Sequence, residues 1–452
     1  VAPSGASIDY AAVAAMLGQH TPKADRVEVT LFDNGFLGAA IDHDGTPPGT
    51  RFLEPFVPGL FHVRQTGLLG VVTIGVDRFE AIPANLIDTT ADSVAHGTHV
   101  AGLVLGGDDA VAHRQGLFGN GTGYWLKLNP LNVGNGGTTL VVGSEQGIAS
   151  AMSQGAGFRI VNMSIAYGID DDIQARLGFI EKEVEALYVV AAGNAGDNAA
   201  NYVPAVRGGA GAKAVITVAA HDGTGRLAPF TNFGDKVDIA APGCALPSWA
   251  PNPAQPGMLT VVRKSGTSMA APLVAFQAAL LRRVTGWNNA EIKARILMSG
   301  DALAMSDWKR EHSDVANVWS RMRINVLKSL DFQYDIVRWR DHKAVDTNGI
   351  REVRGRLIKI SKLSCIDDQK QIPPATLLAY RRAPDSGQPF VITGTAHQEL
   401  RFCRVRESGP VPLIGDGEVS IEADGVQIPP FPLRNLVEIV RSGTIRAPSP
   451  GG

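Results

Sequence analysis

Three cysteines in 452 residues are too few for a disulfide framework, and an odd number cannot all pair within one chain. Cys244, Cys365 and Cys403 are also too scattered for a zinc site. Cys365 and Cys403 share the C-terminal region, where either a bridge or two buried free thiols is open. No apolar run approaches the ~18 residues of a membrane-spanning helix. Neither sign of charge dominates: 42 Lys+Arg face 44 Asp+Glu, a formal net charge of −2. That balance gives no electrostatic case for a nucleic-acid partner or an anionic membrane surface. Internal repeats and low-complexity blocks are missing too. The chain opens on Val1 rather than Met, so removal of a preceding segment is expected, with a secretory signal or a propeptide as candidates.

What is there is core-forming material. Apolar residues make up 44% and charged residues 19%, enough for one large α/β domain of roughly 250–330 residues and a smaller one of about 100. An Ala-rich stretch from Ile8 to Gly18 predicts a helix, and the β-branched run Val27–Phe32 a strand that stops at Asp33-Asn34-Gly35. Pro47 to Pro83 reads as loops and short strands. Further strands are expected at Leu126–Leu128, Arg159–Ser164, Leu187–Ala192 and Ala214–Ala219. Helices are expected at His96–Leu105, Ser144–Gln154, Ile173–Ala186, Ser268–Val284 and Asn289–Ser299. Short apolar strands alternating with helices predict a buried, mostly parallel sheet covered on both faces. After about Ser329 the helical periodicity fades. Arg354–Ile360, Thr376–Tyr380 and Glu399–Phe402 then predict a β-rich unit, ending in a Pro-rich tail.

Three segments place a reactive side chain where two elements meet. Asp33 ends a strand, at the edge where open parallel sheets keep their sites. His96-Gly97-Thr98-His99-Val100-Ala101-Gly102 begins a helix. Ser265-Gly266-Thr267-Ser268-Met269-Ala270-Ala271-Pro272 enters another at Ser268, whose oxygen then lies beside the positive end of a helix dipole. Pro272 is expected in the first helical turn, where a missing N–H costs least. Each segment alone has a plainer explanation: a turn at Asp33-Asn34-Gly35, packing or a metal pair for His96 and His99, an N-cap at Gly266-Thr267-Ser268. Their order and their placement on matching junctions are what those explanations leave over.

Taken together, these motifs resemble those of the subtilisin-like serine peptidases (subtilases, peptidase S8) over roughly residues 25–300. Ala191-Ala192-Gly193-Asn194 is similar to that family's oxyanion segment, and Asn162-Met163-Ser164-Ile165 and Ala240-Ala241-Pro242-Gly243 extend the match. The Asp, His, Ser order with an Asn donor is a known template for this chemistry. The resemblance implies a three-layer α/β/α subtilisin-like fold with a mostly parallel central sheet, plus a smaller β-rich C-terminal domain. It divides the chain into an N-terminal helix and extension (1–24), a peptidase domain (25–330) and the β-rich domain (331–452). The 63 residues between Asp33 and His96 exceed what a minimal member needs, so an insertion is expected at about 40–90. Leu273 follows Pro272 where many relatives carry His, which implies a packing difference.

On this resemblance the chain is expected to be a serine endopeptidase, with Ser268 as nucleophile, His96 as general base and Asp33 as orienting carboxylate. Asn194 would hold the oxyanion; Ser164, Ile165, Ala166 and Gly193 would line the strand that receives an extended peptide. Asp42 and Asp44 are weaker choices for the acid because neither follows a clear strand. Asp170-Asp171-Asp172 reads either as a solvated helix N-terminus or, less favoured, as a pocket for a basic side chain. No cofactor is required. The resemblance leaves room for structural calcium, and Asp42–Asp44 and Asp170–Asp172 offer oxygens, yet no ligand pattern fixes a metal site. The expected partner is a protein or peptide substrate, and the resemblance implies that the protein acts outside the cytoplasm, with an intracellular place left open. Competing readings are a catalytically silent subtilisin-fold binding protein and an esterase or amidase.

Overall fold

The computed structural model describes residues 8–33, 38–41, 49–52, 64–65, 72–73, 96–105, 125–132, 159–178, 180, 186–251, 259–303, 318–340, 350–360, 376–382, 389–394, 400–404, 418–423, 426–432 and 435–442. The expected helix at Ser144–Gln154, Asp42, Asp44, Cys365 and the Pro-rich tail lie outside them.

Strand β1 (Val27–Asp33) lies inside a parallel array with β2 (Leu126–Asn132), β3 (Arg159–Met163), β4 (Ala186–Ala191), β5 (Val215–His221) and β6 (Ile239–Pro242), flanked by β2 and β3. A hairpin, β7 (Leu246–Pro251) and β8 (Leu259–Lys264), stands apart from this sheet, and β9 (Met322–Arg323) rejoins it. The order is β2-β1-β3-β4-β5-β6-β9, all parallel, with short antiparallel strands at both edges.

Side-chain alternation splits the core into two layers. Val27, Val29 and Leu31 of β1, with Leu187, Val189 and Ala191 of β4, face one side. Phe32, Val161, Met163, Tyr188 and Val190 face the other. The first side is covered by α2 (His96–Val104) and α4 (Thr267–Val284), with α1 (Tyr10–Leu17) beyond them; α3 (Asp171–Arg176) adjoins the second. Helix α4 is buried nearly all round, as a central helix must be when its sequence is apolar on every face. The expected helix over Ile173–Ala186 is corrected here: α3 is a short turn at Asp171–Arg176, and Ala186 already belongs to β4, because its run Ala-Leu-Tyr-Val-Val-Ala suits a strand buried on both faces.

Helix α5 (Asn289–Ser299) opens on a complete capping box between Asn288 and Glu291, and α6 (Val326–Leu330) follows β9. The strands that follow α6 are antiparallel: β10 (Asp335–Arg340), β11 (Ile350–Ile360), β12 (Leu377–Arg382), β13 (Pro389–Gly394), β14 (Leu400–Arg404), β15 (Glu418–Ala423), β16 (Val426–Pro432) and β17 (Leu436–Val440), in the order β14-β13-β12-β17-β10-β11-β15-β16. Buried arginines fasten this sheet to α5 and α6. Arg295 donates to the carbonyls of Ser329, Lys328, Asp331 and Arg441. Arg381 donates to those of Met298 and Gly300 at the end of α5, to Ile439, and to Glu438 at 3.0 Å. Both guanidiniums thereby satisfy carbonyls that helix ends and strand ends leave over.

Candidate active site

Asp33 is the last residue of β1 and is fully buried; His96 is the first of α2. His96 Nδ1 lies 2.7 Å from Asp33 Oδ1, the separation of a charge-assisted hydrogen bond. The carboxylate's field reaches its neighbours. Burial, and then the Asp33 charge, push Tyr167 up to about 12. Lys264 is lowered mainly by burial, while Asp33 draws it back.

The second histidine of the helix has a different task. His99 Nε2 contacts the Val262 carbonyl at 3.2 Å and the His99 carbonyl accepts from Ser248 Oγ at 2.7 Å, so α2 is stitched to the β7–β8 hairpin. Burial, reinforced by Lys264, lowers His99 to about 4. The ring is a packing element.

Helix α4 packs against α2 and presents Ser268 as its second residue. Pro272 is the sixth residue of α4, beyond the first turn where it was expected. Its absent N–H would have bonded the Ser268 carbonyl four residues earlier. Ser164 Oγ fills that vacancy, donating to the Ser268 carbonyl at 2.9 Å, and is itself held by Asn162 Nδ2 at 2.9 Å. In return Ser268 Oγ donates to the Ser164 carbonyl at 3.1 Å. The structure therefore brings Asp33 and His96 together in one bond, and Ser268 and Ser164 in another. A rotation of the Ser268 hydroxyl is needed before it can bond His96.

Asn194 follows β4 and approaches the same helix start. Its Oδ1 accepts from Thr267 N at 2.8 Å and Thr267 Oγ1 at 3.0 Å. With Oδ1 taken, the side-chain amide has only N–H groups left to offer. Gly193 has φ +104 and its N–H reaches Thr267 Oγ1 at 3.1 Å. A Cβ there would lie 2.3 Å from Asn232 Nδ2, so both backbone conformation and space demand glycine. Asn232, which no sequence motif singles out, braces the loop. Its Oδ1 accepts from Ala195 N (2.9 Å) and Asp197 N (3.1 Å), its Nδ2 donates to the Ala192 carbonyl (3.0 Å), and its own N–H donates to the Gly193 carbonyl.

Ser164, Ile165 and Ala166 continue from β3 into a two-residue strand, Tyr167–Gly168, which pairs antiparallel with Tyr202–Val203. Ala166 adjoins Gly193, so the segments expected to line a peptide groove do meet. Asp171 opens α3 and is exposed, as is Asp170; both suit a solvated helix start. Among the described residues no group of three His, Cys, Asp or Glu side chains is arranged to hold a metal ion, and no helix is long and apolar enough to cross a membrane.

Comparison with known proteins adds the lineage. The family model described as the subtilase family matches residues 80–314, just over half of the chain; the match takes in His96, Asn194 and Ser268 and begins after Asp33. A subtilisin-like serine protease, Pen c 1, of Penicillium citrinum is 33% identical over 246 residues, 54% of this chain and 56% of its own length. The cell wall-associated protease of Bacillus subtilis (strain 168) is 34% identical over 194 residues, 42% of this chain and 19% of its own. Thermitase of Thermoactinomyces vulgaris is 30% identical over 247 residues, 54% of this chain and 77% of its own. The chain thus spans about half of the fungal relative and a smaller part of the Bacillus one. With a parallel sheet that delivers Asp33 and His96 to one edge, and a match that runs through the helix carrying Ser268, the chain belongs to the subtilase family.

Proposed function

We propose that the protein is a serine endopeptidase whose residues 25–330 carry the chemistry, with the β-rich 331–452 fastened to them. The observation that carries this reading is the 2.7 Å Asp33–His96 pair on α2, packed against the helix that begins with Ser268. His96, with Nδ1 committed to Asp33, has Nε2 for the Ser268 proton. Ser268 Oγ attacks the scissile carbonyl, His96 takes its proton and returns it to the leaving amine, and water repeats the sequence on the acyl-enzyme. Asp33 keeps the ring in the needed tautomer. The Asn194 amide and the Ser268 N–H receive the oxyanion, and removing one such donor typically costs about 10²–10³ in turnover. The Ser164–Ala166 segment receives an extended peptide by strand addition. Action outside the cytoplasm fits the cell wall-associated protease among the relatives.

The Ser268–Ser164 hydrogen bond supports a second reading, a protein with this fold that binds without cleaving. A fluorophosphonate probe decides between them. Adduct at Ser268 in the wild type, lost in Ser268→Ala and sharply reduced in His96→Ala, supports the peptidase. Well-folded protein that takes no label moves the binding reading to the front.

A further inference from the structure

A cavity of about 230 Å³ lies where β5, β6 and β9 end, with His221, Pro242 and Arg323 in its wall. Carboxyl ends of parallel strands are where open sheets hold ligands. Ile8 and Leu327 add apolar surface, and Asp9 and Asp301 complete the rim.

The charges do not cancel inside the wall. Asp301 is committed to Lys328 Nζ at 2.5 Å and Asn325 Nδ2 at 3.0 Å. Asp9 caps α1 through Ala12 N at 2.9 Å, beside the positive end of that helix. Arg323 has no such commitment at Nε, which is buried and makes no hydrogen bond among the described residues. Its guanidinium lies over the Gly225 backbone, where a Cβ would come within 2.4 Å of Nη1. The Nη1 and Nη2 groups are not sealed off in this way and keep donors for an arriving acceptor.

His221 supplies the complementary function. Its Nδ1 lies 2.7 Å from the Asp222 carbonyl, which can only accept, so Nδ1 carries the proton and Nε2 is the remaining acceptor. Burial lowers the ring to about 4, so it is neutral at ordinary pH. The wall therefore asks for a ligand with an anionic acceptor, one N–H or O–H donor close by, and a short apolar body. At about 30 Å³ for each water-sized group, there is room for roughly eight non-hydrogen atoms.

We propose that this cavity receives the C-terminal residue of a peptide: carboxylate on Arg323, last amide N–H on His221, side chain against Ile8 and Leu327. A carboxylate is the planar anion that a guanidinium grips best. The site does not depend on the hydrolytic reading, although that reaction would generate such ends.

The test is calorimetric titration of Ser268→Ala protein with N-acetyl-L-leucine, beside N-acetyl-L-leucinamide, 4-methylpentanoate, 2-hydroxy-4-methylpentanoate and inorganic phosphate. Saturable binding of N-acetyl-L-leucine is expected, weakened about tenfold or more by loss of the carboxylate or by Arg323→Gln. Loss of the N–H in 4-methylpentanoate should weaken it as well. Arg323→Gln in the Ser268 background should leave the rate of peptide hydrolysis unchanged, showing an intact fold. Tighter binding of the hydroxy acid would replace the peptide end by a free hydroxy acid and overturn the assignment. Preference for phosphate, indifference to Arg323→Gln, or no saturable heat at millimolar ligand would overturn it too.

Discussion

Replacing Asn232 by alanine should damage catalysis from behind the site. The side chain makes three hydrogen bonds to the loop that carries Gly193 and Asn194. Alanine removes them all and leaves Ala195 N, Asp197 N and the Ala192 carbonyl seeking partners. At about 1–3 kcal/mol for each unsatisfied group, with water able to reach some of them, the local cost is on the order of 3 kcal/mol. A loop loosened by that amount no longer fixes Asn194 to a fraction of an ångström, and a misplacement of about 1 Å can cost about 10²-fold in rate. The expected result is a kcat about 10- to 10²-fold lower with KM nearly unchanged, measured on a chromogenic peptide. Asn232→Asp, which keeps the acceptor for two N–H groups and loses the donor, should fall between. A double-mutant cycle gives the refutation. If Asn232 acts through Asn194, then Asn194→Ala/Asn232→Ala should be no slower than Asn194→Ala alone. Additive losses, or a normal kcat in Asn232→Ala when Asn194→Ala is impaired, would sink the argument. A normal kcat in Asn194→Ala would instead reject the oxyanion assignment itself.

Lys293 is buried with its ammonium on Asp238 (2.7 Å) and the carbonyls of Gly209 and Val215. Lys293→Met should cost about 3–5 kcal/mol in urea unfolding of the Ser268→Ala protein, and a loss below about 1 kcal/mol would contradict it. Acid should weaken the fold through His99 and His221, both lowered from 6.5 to about 4 chiefly by burial. The unfolded chain protonates these rings first, so their stabilisation is complete above about pH 6.5 and is lost as pH falls toward 4. Between about pH 7 and 5 each ring should remove about 2 kcal/mol, and His221→Gln should flatten part of that slope in denaturant titrations. Arg381→Met deprives the end of α5 and the Ile439 carbonyl of donors; a loss of about 3 kcal/mol is expected, with the parallel and antiparallel sheets melting together by calorimetry. Separate transitions would show that the two sheets are not coupled there.

Much of this was legible in the chain because periodicity and apolarity agree. Val27–Phe32 and Leu187–Ala192 announce buried strands, and the small residues after His96 and Ser268 announce packed helices; these fall where expected to within a residue or two. The hairpin Leu246–Pro251 and Leu259–Lys264 was not, since prolines in its first strand and mixed polarity in its second blur the strand signal. Pro272 was placed in the wrong turn, and with it went the reason for the Ser164 hydroxyl, a hydrogen bond spanning 104 residues that no local pattern encodes. Asn232 hides for the same reason. Lys293 and Arg295 look like the wet face of an amphipathic helix, yet both are buried, because their acceptors come from segments far away in sequence.

Arg295 and Arg381 also have a consequence in time. Their acceptors include the carbonyls of Arg441 and Ile439, almost the last backbone groups described. During synthesis Ser268 and all of α4 are made long before β17, so Arg295 on α5 and Arg381 on β12 wait for part of their carbonyl acceptors until β17 and the residue after it are made. A ribosome-bound chain halted near residue 430 should hold Ser268, the proposed nucleophile, yet lack its finished support. Reactivity toward a serine-directed probe is then expected only in chains extended past β17, a delay that would shield shorter ones from the proposed chemistry.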